Sequence, residues 1–156
     1  MTDDISIRGG TLADLAQVIA IARHSQTAAQ WSASDYASIF VSNRLLLVAE
    51  EHREVVGFIV GHDVAGEWEL ENVVVLPNHQ HCGIGERLVR ELTSTAKSRH
   101  AKFIFLEVRE SNVAAKRLYQ RCGFQQAGRR KSYYSSPEED AILYRFLCNP
   151  ETLKKC

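Results

Sequence analysis

The chain has 156 residues, 45% of them apolar and 24% charged, which suits one globular domain and excludes a long disordered region. Nineteen basic residues balance nineteen acidic ones, so the positive excess that marks nucleic-acid binders is absent, and only the run Arg129, Arg130, Lys131 is locally basic. Four scattered cysteines (Cys82, Cys122, Cys148, Cys156) form no CxxC and no Cys/His cluster of zinc spacing, so neither a disulfide framework nor a metal site is expected, and no stretch has the ~18 apolar residues of a membrane span.

The first ten residues, MTDDISIRGG, are acidic and carry no apolar leader core, so a cytoplasmic protein is expected. A short strand at Ile5–Arg8 precedes Thr11, which reads as a helix cap with Asp14 three residues on. Leu12, Leu15, Val18, Ile19 and Ala22 then recur at helical spacing to about His24. A polar loop carrying Trp31 leads to a shorter helix in WSASDYASIF, capped by Ser34, with Tyr36, Ile39 and Phe40 facing inward. RLLLVAEEHREVVGFIVGHDV predicts a hairpin turning around Glu51–Glu54.

In EWELENVVVL, Glu67, Glu69 and Glu71 alternate with Trp68 and Leu70. The run then becomes continuously apolar from Val73 to Leu76, which predicts a strand end buried on both sides. Ile84, Leu88, Val89, Leu92 and Ala96 mark an amphipathic helix to about Arg99, and KFIFLEV after it reads as a strand, so strand, helix and strand predict a parallel crossover. SNVAAKRLYQRCG is a helix capped by Ser111 or Asn112, with Gly123 left-handed past its end. FQQAGRRKSYYSSPEEDAILYRFL gives two strands around a Ser-Ser-Pro turn, and residues 149–156 form a tail to a domain spanning 1–148. The fold class is α/β, a mixed sheet of about seven strands with about four helices.

HQHCGIGERLV, residues 79–89, joins a buried strand to a helix start. Free backbone N–H groups and the positive end of a helix dipole meet there, an arrangement suited to an anion, although two glycines alone also suit a plain turn. The spacing is neither a Walker A loop nor a full GxGxxG fingerprint. Glu107 is a lone carboxylate on an otherwise apolar strand. From position alone it reads equally as a strand-end group, solvated or paired with Arg109, and as a base in a cleft. Tyr119 shares a helix face with Ala115, Leu118 and Cys122, as a core aromatic would. Trp31, Tyr133 and Tyr134 could form an acceptor groove or belong to the core, and Glu69 and Glu71 could attract a cationic acceptor.

QHCGIG fits Q/R-x-x-G-x-G/A, the pyrophosphate loop of the GNAT N-acetyltransferases, and the preceding NVVVLP resembles the strand that holds the pantetheine arm in that superfamily. LEVRESNVAAKRLYQRCGF, GRRKSYY and EDAILY are similar, more narrowly, to the ribosomal-protein alanine N-acetyltransferase (RimI) group. The resemblance implies a GNAT fold and acetyl-CoA as co-substrate, without a metal. It places Val73, Val74, Val75, His81, Cys82, Gly83, Ile84, Gly85, Glu86 and Asn112 at the coenzyme, with Glu107 as catalytic base and Tyr119 as general acid. Glu86 stands where relatives often carry a basic residue. Cys82 at a helix start could be a thiolate nucleophile, but the resemblance points it to the pyrophosphate, so direct transfer in a ternary complex is expected. The implied acceptor is a peptide or protein N-terminus of the ribosomal protein S18 type, with no nucleic acid or membrane partner. The alternatives are acetylation of a small-molecule amine or a lysine side chain, and a coenzyme-binding module without turnover.

Overall fold

Seven strands form one sheet in the order β1-β2-β3-β4-β5-β7-β6 in a computed structural model that describes residues 4–25, 28–29 and 31–149. The strands are β1 (Ile5–Gly9), β2 (Arg44–Glu51), β3 (Glu54–Val64), β4 (Glu67–Val75), β5 (Phe103–Arg109), β6 (Gln125–Tyr134) and β7 (Glu139–Leu147). Four α-helices accompany them among the described residues: α1 (Leu15–Arg23), α2 (Ala33–Ala37), α3 (Ile84–Ser98) and α4 (Val113–Arg121). β4 and β5 pair in parallel, as the strand, helix, strand order predicts, and the other neighbouring pairs are antiparallel. No helix among the described residues is long and apolar enough to cross a membrane.

Each face of the sheet has its own core. On one, α3 and α4 bury Ile84, Leu88, Leu92, Ala96, Tyr119 and Cys122 against Trp68, Leu70, Ile104, Leu106 and Val108. On the other, Val18, Ile21, Tyr36 and Ile39 from the first two helices and the turn after them cover Val48, Phe58, Val60 and Val74. β4 changes sides midway. Trp68 and Leu70 point to the α3 face, whereas beyond Glu71 it is Val73 and Val75 that pack there and Val74 that turns to the α1 face. The register with β3 slips at this point, Gly61 lying opposite Leu70 and Val60 opposite Asn72, so Glu71 is the extra residue of a bulge.

The bulge corrects one expectation. The end of β4 is not buried on both sides, because Asn72 and Val74 are buried while Val73 and Val75 are half-buried. A second correction concerns α2, whose cap is Ser32 rather than Ser34. The Ser32 hydroxyl accepts from the Asp35 amide at 3.2 Å and the Asp35 carboxylate accepts from the Ser32 amide at 2.7 Å, a reciprocal box that requires the acid three residues on. Of the two candidate caps of α4, Asn112 holds the position. Gly123 is left-handed with φ +94°, as expected past a helix end. The tail lies mostly outside the described residues.

Arg8, Asp14 and Glu50 tie the α1 entry to the sheet edge. Arg8 bonds both Asp14 oxygens at 2.8 Å and Glu50 at 2.6 Å, while the buried Asp14 also accepts from the Thr11 amide at 2.7 Å. The hydrogen bonds from Arg8 hold the Asp14 carboxyl down to about 2. A carboxyl lowered on folding stabilises the fold above its unfolded value and loses that contribution as pH falls. Urea unfolding should therefore show roughly 1–2 kcal/mol lost between about pH 4 and pH 2, discounted for the half-exposed Arg8. Asp14→Asn should remove most of that dependence.

Candidate active site

β4 and β5 share only three register pairs, Glu67 with Phe103, Trp68 with Ile104 and Glu69 with Phe105. Beyond them the strands part, β4 remaining paired to β3 as far as Val75 and β5 to β7 as far as Arg109. The edges of β4 from Leu70 onward and of β5 from Leu106 onward thus border a wedge that opens toward the start of α3.

The loop from β4 to α3 closes the end of the wedge. Gln80 donates from Nε2 to the Val75 carbonyl at 3.1 Å, and His79 Nε2 lies 2.7 Å from Glu51 Oε2, so the second half of the residue 77–80 turn is fastened. His81 and Gly83 then take left-handed backbone (φ +63° and +81°) around Cys82. This alternation gathers successive N–H groups into a concave nest. No side chain caps α3, so its first-turn amides are available to an anion. A Cβ on Gly83 would meet no atom within 4 Å, so the constraint there is conformational. At Gly85 it would lie 3.3 Å from Leu118, so the constraint there is helix packing. Ile84 is fully buried under the loop. Glu86 turns along the helix to Arg90 at 2.8 Å, and Arg90 also donates to the Arg121 carbonyl, so the carboxylate is paired rather than set against an anion.

Glu107 and Tyr119 lie on opposite faces of the sheet. Ile104, Leu106 and Val108 of β5 pack toward α3 and α4, which leaves Phe105 and Glu107 on the other face, where no helix covers β5. Glu107 is mostly buried and pairs with Arg130 at 3.0 Å rather than with Arg109. Arg109 instead stacks 4.2 Å from the Tyr134 ring and bonds Glu139 and the Pro137 carbonyl. Tyr119 comes from the α4 side, packed against Phe124 and Tyr144. The enclosed, unpartnered side-chain polar atoms among the described residues are Trp68 Nε1 and His79 Nδ1. Tyr119 is a buried residue, and its hydroxyl makes no hydrogen bond among the described residues. Burial pushes its phenol well above the usual range, so it stays protonated and able to donate.

Beside Glu107 lies a shelf of further charge. His62 faces Glu69 across β3 and β4, and ligand-type atoms of His62, Glu69 and Glu71 lie within 4.8 Å of one another. Arg44 grips both Glu71 oxygens, at 2.6 and 3.3 Å. Burial, then the charges of Glu71 and Glu107, raises the Glu69 carboxyl. Spacing could not find this trio, because its members meet across adjacent strands; the alternation in EWELE was the available signal for the two glutamates.

The remaining predicted residues divide. Tyr133 is half exposed, and hydrogen bonding and charge from Glu107 push its phenol up, so it faces the carboxylate. Tyr134 is turned beneath Arg109. Trp31 stacks on Tyr36 at 5.1 Å, and no ring contact joins it to the tyrosine pair. Asn112 spends its Oδ1 on the Ala115 amide at 3.2 Å, which leaves its amide donors for a ligand. Cys82 is exposed, its sulfur 3.5 Å from the Gln80 carbonyl. Sequence reasoning missed Asn72, a lone polar residue at the head of NVVVL, and Arg130. Asn72 is buried, donates to the Tyr36 hydroxyl and accepts from the Ala29 amide, both at 3.3 Å, and so ties the Trp31 loop to β4 beside the wedge.

The acetyltransferase (GNAT) family profile matches residues 15–124. The chain belongs to the GNAT family of acetyltransferases. It is 33% identical over 115 residues to the [ribosomal protein bS18]-alanine N-acetyltransferase of Escherichia coli K12, covering 72% of this chain and 78% of that one. To the Haemophilus influenzae protein of the same name it is 38% identical over 96 residues, 60% of this chain and 65% of that one, so the match spans just under two thirds of that relative. The crystal structure of the ribosomal-protein-S18-alanine N-acetyltransferase from Escherichia coli aligns with a TM-score of 0.83 at 30% identity, over 93% of this chain and 94% of that one.

Asn72→Ala would strand the Tyr36 hydroxyl and the Ala29 amide, so denaturant unfolding should show a loss of about 1–3 kcal/mol. A change within 0.5 kcal/mol, the range of an ordinary surface substitution, would mean that Asn72 does not anchor the loop.

Proposed function

We propose that the protein transfers an acetyl group from acetyl-CoA to the α-amine of a peptide N-terminus, a ribosomal-protein terminus of the bS18 type being the acceptor class. The observation that carries this reading is the position of Glu107: a carboxylate on the open face of β5, at the border of the wedge, with Tyr119 on the opposite face of the sheet. The kinship to enzymes described as bS18-alanine N-acetyltransferases supports the choice of acceptor.

The residues present fit the coenzyme. The His81–Glu86 amides suit its pyrophosphate, the free edge of β4 along Val73, Val74 and Val75 suits an extended amide-bearing arm, and the Asn112 amide lies at the facing helix start. Bound there, acetyl-CoA supplies the activated acetyl group. The protein's own work is proton handling and alignment. An α-amine with a pKa near ~8 is mostly protonated at neutral pH, so Glu107 accepts the proton that frees the nitrogen lone pair for attack on the thioester carbon. As the carbon–nitrogen bond forms and the carbon–sulfur bond breaks, negative charge grows on sulfur. Tyr119, kept protonated by its raised pKa, steadies that charge by donating a hydrogen bond. Tyr133, exposed beside Glu107, flanks the opening through which the acceptor enters.

Glu107→Gln should lower kcat by roughly 10²–10⁴-fold and leave the dissociation constant for acetyl-CoA unchanged. Raising the pH should restore part of the rate, because more of the acceptor is then neutral without help. Near-normal kcat across neutral pH would remove Glu107 from the mechanism.

Gly83→Val puts a β-branched residue at φ +81° and should weaken coenzyme binding in a protein that still folds. Calorimetry with unchanged affinity would place the pyrophosphate elsewhere. The acceptor is tested by competition among Ala-initiated peptides, lysine-containing peptides with blocked termini and polyamines, with mass spectrometry locating the acetyl group. Preference for the Ala terminus is expected, and acetyl on lysine Nζ or faster transfer to polyamines would shift the reading to the small-amine or lysine alternative.

A further inference from the structure

We infer that Arg130 is a displaceable counter-ion of Glu107: it covers the carboxylate while no acceptor is present and yields that place to the acceptor's α-ammonium. The inference rests on the reading of Glu107 as the proton acceptor.

The pair is lopsided. Arg130 Nε lies 3.0 Å from Glu107 Oε1, with 56% of the arginine side chain exposed against 16% of the glutamate, so the guanidinium sits between the carboxylate and solvent. A cation arriving from solvent meets Arg130 first. The neighbouring arginines are held differently. Arg129 is fixed by Glu110 at 2.9 Å and Asp140 at 2.8 Å, and Arg109 by Glu139, the Pro137 carbonyl and the Tyr134 ring. Arg130 has Glu107 as its one salt-bridge partner among the described residues, and the half-exposed Tyr133 ring 5.7 Å away, over which a released guanidinium can rest. Arg130 is the last residue of its stretch in register, opposite Ala141, and the Ser132 amide beyond it is held by Asp140 Oδ1 at 2.9 Å. β6 loses register with β7 between Arg130 and Tyr134, and Ser132 takes φ +51°.

The charge around Glu107 favours the exchange. Tyr133 and Tyr134 face it from β6, and Glu69 from β4 with Glu71, Arg44 and His62 beyond. On β7, Leu143 lies directly opposite Glu107 and Arg145 opposite Phe105, on the same face. Arg44 is committed to Glu71, and Glu69 has no salt-bridge partner among the described residues. An ammonium replacing Arg130 therefore enters a shelf that still carries negative charge. The outgoing arginine is the exposed member of the pair and regains water when it leaves, while the incoming ammonium keeps the enclosed carboxylate paired.

The test measures binding of an Ala-initiated tripeptide amide to enzyme loaded with CoA, by calorimetry, with thermal melting to verify folding. Arg130→Gln should tighten the peptide about two- to five-fold and leave the affinity for CoA unchanged, whereas Arg130→Lys, which keeps a cation, should stay near wild type. In a Glu107→Gln background the Arg130→Gln change should have no effect on peptide affinity, since the partner is already gone. Weaker peptide binding in Arg130→Gln would show that Arg130 holds the peptide itself, and an unchanged affinity, or an effect that persists without Glu107, would equally overturn the inference. If Glu107→Gln keeps its kcat, the reading of Glu107 fails. If it loses kcat while Arg130→Gln leaves peptide affinity unmoved, only the counter-ion role fails.

Discussion

The parting of β4 from β5 beyond Glu69 and Phe105 is the constraint on which the rest of the structure depends. Two central strands can separate only if each keeps its ladder on the other side, and β3 and β7 provide those ladders to the strand ends. What remains is a pair of strand edges inside the sheet, in a place protected from the edge-to-edge association that outer edges invite. The bulge at Glu71 belongs to the same device. It turns Val73 and Val75 toward α3 and Asn72 toward the Trp31 loop, so the strand that lines the wedge also fastens the backbone at Ala29.

A split sheet also solves a geometric problem in acetyl transfer. The group that removes a proton from the amine and the group that steadies the departing sulfur must approach one carbon from different sides. In an intact sheet, side chains from opposite faces cannot meet. In the mechanism proposed above these two groups are Glu107, on the face left open by α1 and α2, and Tyr119, in the core on the α4 side, with the parting of the strands between the two faces. The electrostatics follow the same division. The Tyr119 side is apolar and keeps its phenol protonated, while the Glu107 side gathers Glu69 and Glu71 with Arg44 and Arg130 as partial compensation.

Much of this could be read from the residues. Periodicity located the helices in which Ile84 to Ala96 and Ala115 to Cys122 form apolar stripes, because such faces must be buried at 3.6-residue spacing. The hairpin at His52 and Arg53 and the left-handed Gly123 followed from turn chemistry. The loop glycines were visible as a pair, but their separate duties, conformation at Gly83 and packing at Gly85, needed the position of Leu118. What local pattern could not supply was contact between strands. A bulge shifts every later side chain to the other face without changing composition, so NVVVL read as doubly buried. The Arg130 to Glu107 pair joins residues 23 apart in sequence through β7, which lies between their strands. Ser34, the expected α2 cap, and Ser32, the observed one, both precede the apolar positions; only the reciprocal bond to Asp35 separates them.

Hydrogen exchange of the free and acetyl-CoA-bound protein tests most directly whether the wedge is the coenzyme site. Protection should rise at the His81–Glu86 amides and along residues 73–75, with the amides of residues 97–102 at the far end of the sheet unchanged. Protection confined to that far end, or no change in the loop at saturating coenzyme, would contradict the account.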